Sequence, residues 1–171
     1  MGLCTTNRQL AGELADLVME KMEKQDPSVP IVVGQGDGYT PCECPECRAL
    51  AEKENSEAAP IVLMLNRVLE RASKKYPDHQ IITFAYDVTI RAPKTMRPHP
   101  NLWINVVSSA MSPMAGDQLG PIRNNPANTE YEKAIRQWPK LAPGRVTIWH
   151  WANNFKAALY EWPNLYALAD D

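Results

Sequence analysis

The run Ile61-Val62-Leu63-Met64-Leu65-Asn66-Arg67-Val68-Leu69-Glu70-Arg71-Ala72, followed a few residues later by Ile81-Ile82-Thr83-Phe84-Ala85-Tyr86, decides the fold class. In the first run Ile61, Leu65, Val68, Leu69 and Ala72 recur three and four apart, so they share one face of a helix. In the second the apolar residues are nearly continuous and rich in β-branched and aromatic types, the signature of a strand covered by its neighbours. Tyr76-Pro77 separates the two, because the residue before a proline is driven out of the helical region.

Working outward, the same alternation recurs. Towards the amino end, Leu10, Leu14, Leu17, Val18 and Met22 mark a helix from Asn7 to about Lys24, with Thr6 or Asn7 as its N-cap. After Asp26-Pro27-Ser28, Ile31-Val32-Val33-Gly34 reads as a buried strand that opens into Gly34-Gln35-Gly36-Asp37-Gly38. Polar residues Arg48 to Ser56 lead into the Ile61 helix, with Ser56 as a cap and Pro60 in its first turn. Towards the carboxyl end come a proline-rich loop through Pro100, a strand Leu102 to Val107 and a long loop from Ser108 to Asn128. A short helix from about Thr129 to Trp138 then stops at Pro139, and a last strand runs from Val146 to Trp151. Strands alternating with helices predict one α/β domain over residues 1–171, a parallel sheet covered by helices with functional groups at the carboxyl ends of its strands. Gly36, Asp37, Tyr86, Asp87, Ser108, Ser109, His150, Trp151, Asn153 and Asn154 would meet on that rim. His79 and His99, in turn and proline-rich contexts, read as surface residues.

Composition narrows the partners. Eighteen basic against twenty acidic residues give a net charge of −2, which lacks the positive footprint that neutralises phosphates, so nucleic acid is not an expected partner. No stretch approaches the roughly 20 apolar residues of a membrane span, and the amino terminus carries no signal-peptide pattern, which leaves localisation open. Fifteen prolines against eight glycines place stiff connections between the periodic segments.

Cys42-Glu43-Cys44-Pro45-Glu46-Cys47 holds three of the four cysteines, and the Cys44-x-x-Cys47 spacing lets two sulfurs reach one tetrahedral ion. Cys4, just before the first helix, lies where a preceding strand would end on the same rim, and so offers a fourth thiolate. Four thiolates saturate zinc and make it a structural brace. Disulfides and free thiols are the alternatives, although bridging within Cys-x-Cys is strained.

Asp37, between two glycines at a strand end, is placed to act as acid, base or ligand of a sugar hydroxyl; the plainer reading is a turn aspartate bonding its own backbone. Asp87 is a second carboxylate at an equivalent strand end, with a capping role as its alternative. Trp149 to Phe155 combines rings that stack on sugar faces with side-chain amides that bond hydroxyls, so His150, Trp151, Asn153 and Asn154 are candidate substrate contacts; an aromatic core is the competing reading. No dinucleotide fingerprint, P-loop or nucleophile elbow is present.

The motifs taken together, Leu3-Cys4-Thr5-Thr6-Asn7, Gly36-Asp37-Gly38, the cysteine string, Tyr76-Pro77-Asp78, Ala85-Tyr86, Pro98-His99-Pro100-Asn101 and Trp149 to Phe155, resemble the bacterial domain-of-unknown-function family 4838 nearly end to end. The resemblance implies a glycoside-hydrolase-like (β/α) barrel related to alpha-glucuronidase-type, polysaccharide-processing proteins, located in the periplasm or outside the cell. Four strands would then be part of a TIM-type barrel of eight, with open edges for self-association or for the missing barrel half. It also implies that Asp37 occupies the family's acidic rim position and Tyr86 its strand-end tyrosine, with Asp37, Tyr86 and Asp87 as the catalytic candidates. His150 stands where the family pattern has an acidic residue, so a second carboxylate would lie on a further strand. The expected function is action on, or binding of, a polysaccharide fragment; the alternative is a non-catalytic, zinc-stabilised binding module.

Overall fold

The computed structural model describes residues 2–107, 122–123 and 125–149. Helix α1 spans Arg8–Lys24, and of the two offered caps it uses Asn7, whose side-chain oxygen accepts from the amides of Gln9 and Leu10 at 2.8 and 3.1 Å. Its buried stripe is Ala11, Ala15, Val18 and Met22, while Leu17 is exposed. The small residues Ala11 and Ala15 let α1 lie close against helix α3, Ala59–Ala72, whose face from Ile61 to Ala72 is buried as its spacing predicts. Ser56 receives the amide of Ala58 at 3.1 Å, and Pro60 sits in the first turn.

Strands β1 (Ile31–Val32), β2 (Ile81–Ala85), β3 (Leu102–Val107) and β4 (Val146–Trp149) form one parallel sheet in the order β1-β2-β3-β4. Ile31 pairs with Ile81, Ile81 with Leu102, and Ile104 with Val146. Every step moves one place in the same direction, and right-handed crossovers then put all connecting helices on one face. The order shows no reversal of the kind that marks a doubly wound sheet, and it matches part of the wall of a (β/α) barrel.

Burial follows from this one-sidedness. Ile31, Ile81, Thr83, Ala85, Leu102, Ile104 and Val106, which face the helices, are each 3% exposed or less. The alternating residues Ile82, Phe84, Trp103, Asn105 and Thr147 are only half-buried. The expected buried strand Ile31 to Gly34 is corrected here: β1 is an edge strand two residues long, with Ile31 buried and Val32 55% exposed.

Two helices differ from expectation. Residues 45–54 form a further helix, α2 (Pro45–Glu54), in a segment that reads as merely polar. Its buried stripe is Cys47, Ala51 and Glu54, so a carboxylate fills the place where periodicity looks for a hydrophobe. Glu54 is satisfied there, accepting from the amides of Thr95 and Met96 at 2.7 and 3.0 Å and from the Thr95 hydroxyl at 2.8 Å. Helix α4, Thr129–Leu141, does not stop at Trp138 but carries Pro139 within its last turn. Buried Trp138 anchors it by donating from Nε1 to the Ile90 carbonyl at 2.9 Å.

The histidines are also corrected. His79 is buried, with Nε2 at 3.1 Å from the Gln25 carbonyl, and half-buried His99 accepts the Asn101 amide on Nδ1. No helix among the described residues is long and apolar enough to cross a membrane.

Candidate metal centre and rim pocket

Cys4 is held by the turn that starts α1, in which the Asn7 amide donates to the Cys4 carbonyl at 3.1 Å. Cys44 is the N-cap of α2 and accepts the Cys47 amide on its sulfur at 3.5 Å; Pro45 occupies the position where a missing N–H costs nothing. Cys47 lies in the first turn of the same helix, whose positive end favours thiolates. The four ligand atoms of Cys4, Cys42, Cys44 and Cys47 all stand within 4.8 Å of one another. Cys4 Sγ is 3.6 Å from Cys44 Sγ and 4.0 Å from Cys47 Sγ. A tetrahedral ion with thiolates at about 2.3 Å requires sulfurs roughly 3.8 Å apart, so the set fits a four-thiolate metal site. All four cysteines are free thiols, not bridged pairs.

Hydroxyls surround the sulfurs. Thr6 Oγ1 lies 3.3 Å from Cys47 Sγ and 3.5 Å from Cys4 Sγ, and Arg67 on α3 donates to the Thr6 carbonyl at 2.6 Å. Burial opposes ionisation of Cys47, but hydrogen bonds from the Thr6 hydroxyl and amide, and from Cys44 and Thr5, bring its thiol down to about 7. The Cys47 amide pulls the Cys44 thiol down, yet burial and the neighbouring thiols push it up to about 12. One thiol of the set thus ionises early, and a cation held there would displace the remaining protons.

The same loop carries the rim pocket. At the carboxyl ends of β1, β2, β3 and β4, Gln35, Gly36, Asp37, Phe84, Tyr86, Val107 and Trp149 line a cavity of about 360 Å³. Trp149 meets Phe84 edge-on, with ring centroids 6.0 Å apart. Gly34 is required beside it, since a Cβ there would stand 2.7 Å from Phe84 Cδ2. Gly38 completes the Asp37 turn at φ +70°. Burial raises the Tyr86 phenol above its ordinary range, and the carboxylates of Asp37 and Asp87 add to the rise.

Residues 1–171 match the family model described as Domain of unknown function (DUF4838). The chain belongs to this family. No curated protein and no solved structure matches it.

In this DUF4838 chain the expected rim residues are partly brought together. Asp37 and Tyr86 share the rim pocket, and Trp149 joins them. Asp87 opens instead onto a separate cavity of about 380 Å³ lined by Asn55, Glu57, Arg91 and Glu130 among others. Its backbone has φ +50°, a left-handed conformation that aspartate tolerates better than most residues. Ser108, Ser109, His150, Trp151, Asn153 and Asn154 lie outside the described residues. Gln35 was not expected at the site: its amide nitrogen donates to the Tyr86 carbonyl at 2.9 Å and to Thr89 Oγ1 at 2.5 Å. Its only local signal is a polar residue between two glycines at a strand end.

Proposed function

We propose that this DUF4838 chain is a carbohydrate-active, glycoside-hydrolase-like domain of (β/α)-barrel type that takes a polysaccharide fragment at its strand-end rim. The observation that carries this is the rim pocket itself, where the Phe84, Tyr86 and Trp149 rings stand beside the Asp37 carboxylate and the Gln35 amide. Rings bind the apolar faces of sugars, and carboxylates and amides bind their hydroxyls, at the end of a parallel sheet where enzymes of this architecture hold substrate. Asp37, exposed between two glycines, is the candidate acid or base, and Tyr86, Asp87, His150, Trp151, Asn153 and Asn154 complete the proposed set.

The four cysteines suit zinc, since thiolates are soft ligands and four of them leave the ion no open position. The ion's part is structural: it braces residues 42–47, next to the turn that carries Asp37. Among the described residues β1 and β4 are the outer strands of the sheet, and their edges suit pairing with a further barrel segment or with a second copy.

A second reading has one observation in its favour. Asp37 and Asp87 line different cavities, and among the described residues the rim pocket is lined by one carboxylate, where glycoside hydrolysis commonly uses two. On that reading the chain is a non-catalytic, zinc-stabilised module that binds glycans without cleaving them. Screening the full chain and its Asp37→Asn variant over a panel of plant and microbial polysaccharides separates the two. Hydrolysis expects sugar release that falls about a hundredfold or more in the variant with an unchanged melting point. Release undiminished by the substitution removes Asp37 from the mechanism, and retention of glycans with no release favours the binding module.

A further inference from the structure

A cavity of about 630 Å³ opens away from the rim pocket, between helix α4, the end of α2 and residues 91–94. Its position follows from the connections. The crossover from β1 to β2 carries α2 and α3, and that from β3 to β4 carries α4, whereas β2 to β3 carries only a three-residue 3-10 turn, Asp87–Thr89, and then a stretch with Pro93, Pro98 and Pro100. The α-helix that usually joins two parallel strands is missing there, and the irregular chain that replaces it makes one wall of the cavity. The other wall is one face of α4, where Glu130, Lys133, Gln137 and Lys140 follow at helical spacing. Buried Ala92, Pro93 and Ala134 give the groove a small apolar floor.

Charge sets this groove apart from the molecule around it. The chain has a net charge of −2, yet among the described residues the lining is positive: Arg91 and Lys94 on the loop wall and Lys133 and Lys140 on the helix wall, against the carboxylates of Glu54 and Glu130. Glu130 divides its oxygens, Oε2 to Arg91 at 3.0 Å and Oε1 to Lys133 at 2.8 Å, so one carboxylate fixes two cations and balances only one. Glu54 gives its oxygens to Thr95 and Met96. A surplus of two positive charges is left on the lining. All four cations are exposed, so a ligand in the groove reaches them directly. Lys133 and Lys140 stand two helical turns apart, about 10 Å along the axis. The volume is that of a small-molecule site.

We infer that this groove is a second ligand site, separate from the rim, which takes a small dianion carrying two carboxylate or phosphate groups. Cations on both walls hold the two anionic groups, with Lys94 and Lys140 supplying the charge that the lining leaves unbalanced. Gln137, between the two lysines of α4, bonds the ligand's neutral oxygens. Arg91 and Glu130 also border the neighbouring cavity of about 380 Å³, where Glu52, Glu57 and Asp87 repel an anion and confine it to the α4 side. The site uses no residue of the rim pocket and stands whether or not the rim takes sugars.

The test is calorimetric titration of the full chain at low ionic strength with digalacturonate, which carries two carboxylates, and with fructose 1,6-bisphosphate, which carries two phosphates. Binding of either supports the inference, and the one that binds more tightly names the source of the anion. Lys94→Gln and Lys140→Gln are each expected to weaken that dianion about fivefold, and salt is expected to weaken it further. Lys21→Gln, which removes an exposed cation from α1, and Asp37→Asn, at the rim, are expected to leave it within about twofold. Failure of both dianions to bind overturns the inference. So does a loss in Lys21→Gln equal to that in Lys94→Gln, which would make the attraction diffuse, and so does a loss confined to Asp37→Asn, which would place the anion at the rim. Amide chemical shifts of the wild type decide without any substitution: saturation is expected to move residues 91–94 and 133–141, and shifts confined to other residues overturn the site.

Discussion

Residues 34–47 contain two polar sites that differ in one respect. In the cysteine cluster every polar atom has something to bind: the sulfurs face one another, Thr5 and Thr6 reach them with hydroxyls, and helix α2 offers its first-turn amide. A few residues earlier, at the rim pocket, capacity is left over. Among the described residues, Gln35 Oε1 has no donor, and on the same half-buried side of the sheet neither do Asn105 Oδ1 and Thr147 Oγ1. A group whose bonding is saturated by its own chain holds the chain in shape. One with bonding left over contributes less to that hold. Glu54 belongs with the first class, as a buried carboxylate with three donors.

Removing a member of the saturated class should hurt stability most. Cys47→Ser takes away a buried ligand, so bound metal, measured by elemental analysis, is expected to fall from one ion per chain to near zero. The melting temperature should drop by roughly 10 °C, given about 4 kcal/mol from a site held at about a thousand times its dissociation constant and about 2–4 °C per kcal/mol for a chain of this size. Unchanged melting in fully metal-free wild type would place the cluster in the other class.

Glu54→Gln should cost about 1.5–3 kcal/mol in denaturant unfolding, the range for hydrogen bonds to a charged group. Burial raises the Glu54 carboxyl, but the amides of Thr95 and Met96 and the Thr95 hydroxyl outweigh it and hold the group below its ordinary 4.5. Its contribution is therefore complete above the unfolded value and is lost as pH falls through the folded one. The gap between wild type and Glu54→Gln should be constant from pH 7 to pH 6 and close towards pH 3. A gap that does not narrow in acid would mean the carboxylate form is not what the fold selects.

Gly34→Ala sharpens the contrast from the pocket side. The new methyl must displace the Phe84 ring, at about 1–3 kcal/mol, and ligand binding in the rim pocket should weaken with it. Undisturbed binding would separate Phe84 from the site. The smallest effect is expected from Asp87→Gly, because glycine adopts φ +50° freely: within about 0.5 kcal/mol, hence a melting point within about 2 °C. Loss of sugar release in that stable variant would bring Asp87 back into the chemistry despite its separate cavity.

Much of this was legible in the residues. Periodicity gave α1 and α3, and the continuous apolar runs gave β2 and β3, because in those segments the buried positions are filled by apolar side chains. It failed for α2 because Glu54 fills a core position through three hydrogen bonds to residues some forty places away, which no local window contains. Cysteine spacing pointed to a shared site, since ligand geometry restricts spacing strongly. Asp37 and Tyr86 were joined by the rule that strand ends meet on one rim. Gln35 escaped because its role is set by Tyr86 and Thr89, 51 and 54 residues on. Asp87 was grouped with Asp37 by the same rim rule, but the left-handed turn after β2 carries it to a different cavity.

The contact between Cys4 and Cys44 spans forty residues, and between them lie α1 and β1 entire. An ion joining those two sulfurs ties this part of the chain into a ring. By the loop-closure relation used for disulfides, such a ring removes about 4 kcal/mol of disorder from the unfolded chain. Strand β1 has two residues in its ladder and, among the described strands, pairs with β2 alone. The ring would make β1 a permanent member of the sheet, and its opening would be expected to release the first helix and strand together before the rest of the molecule yields.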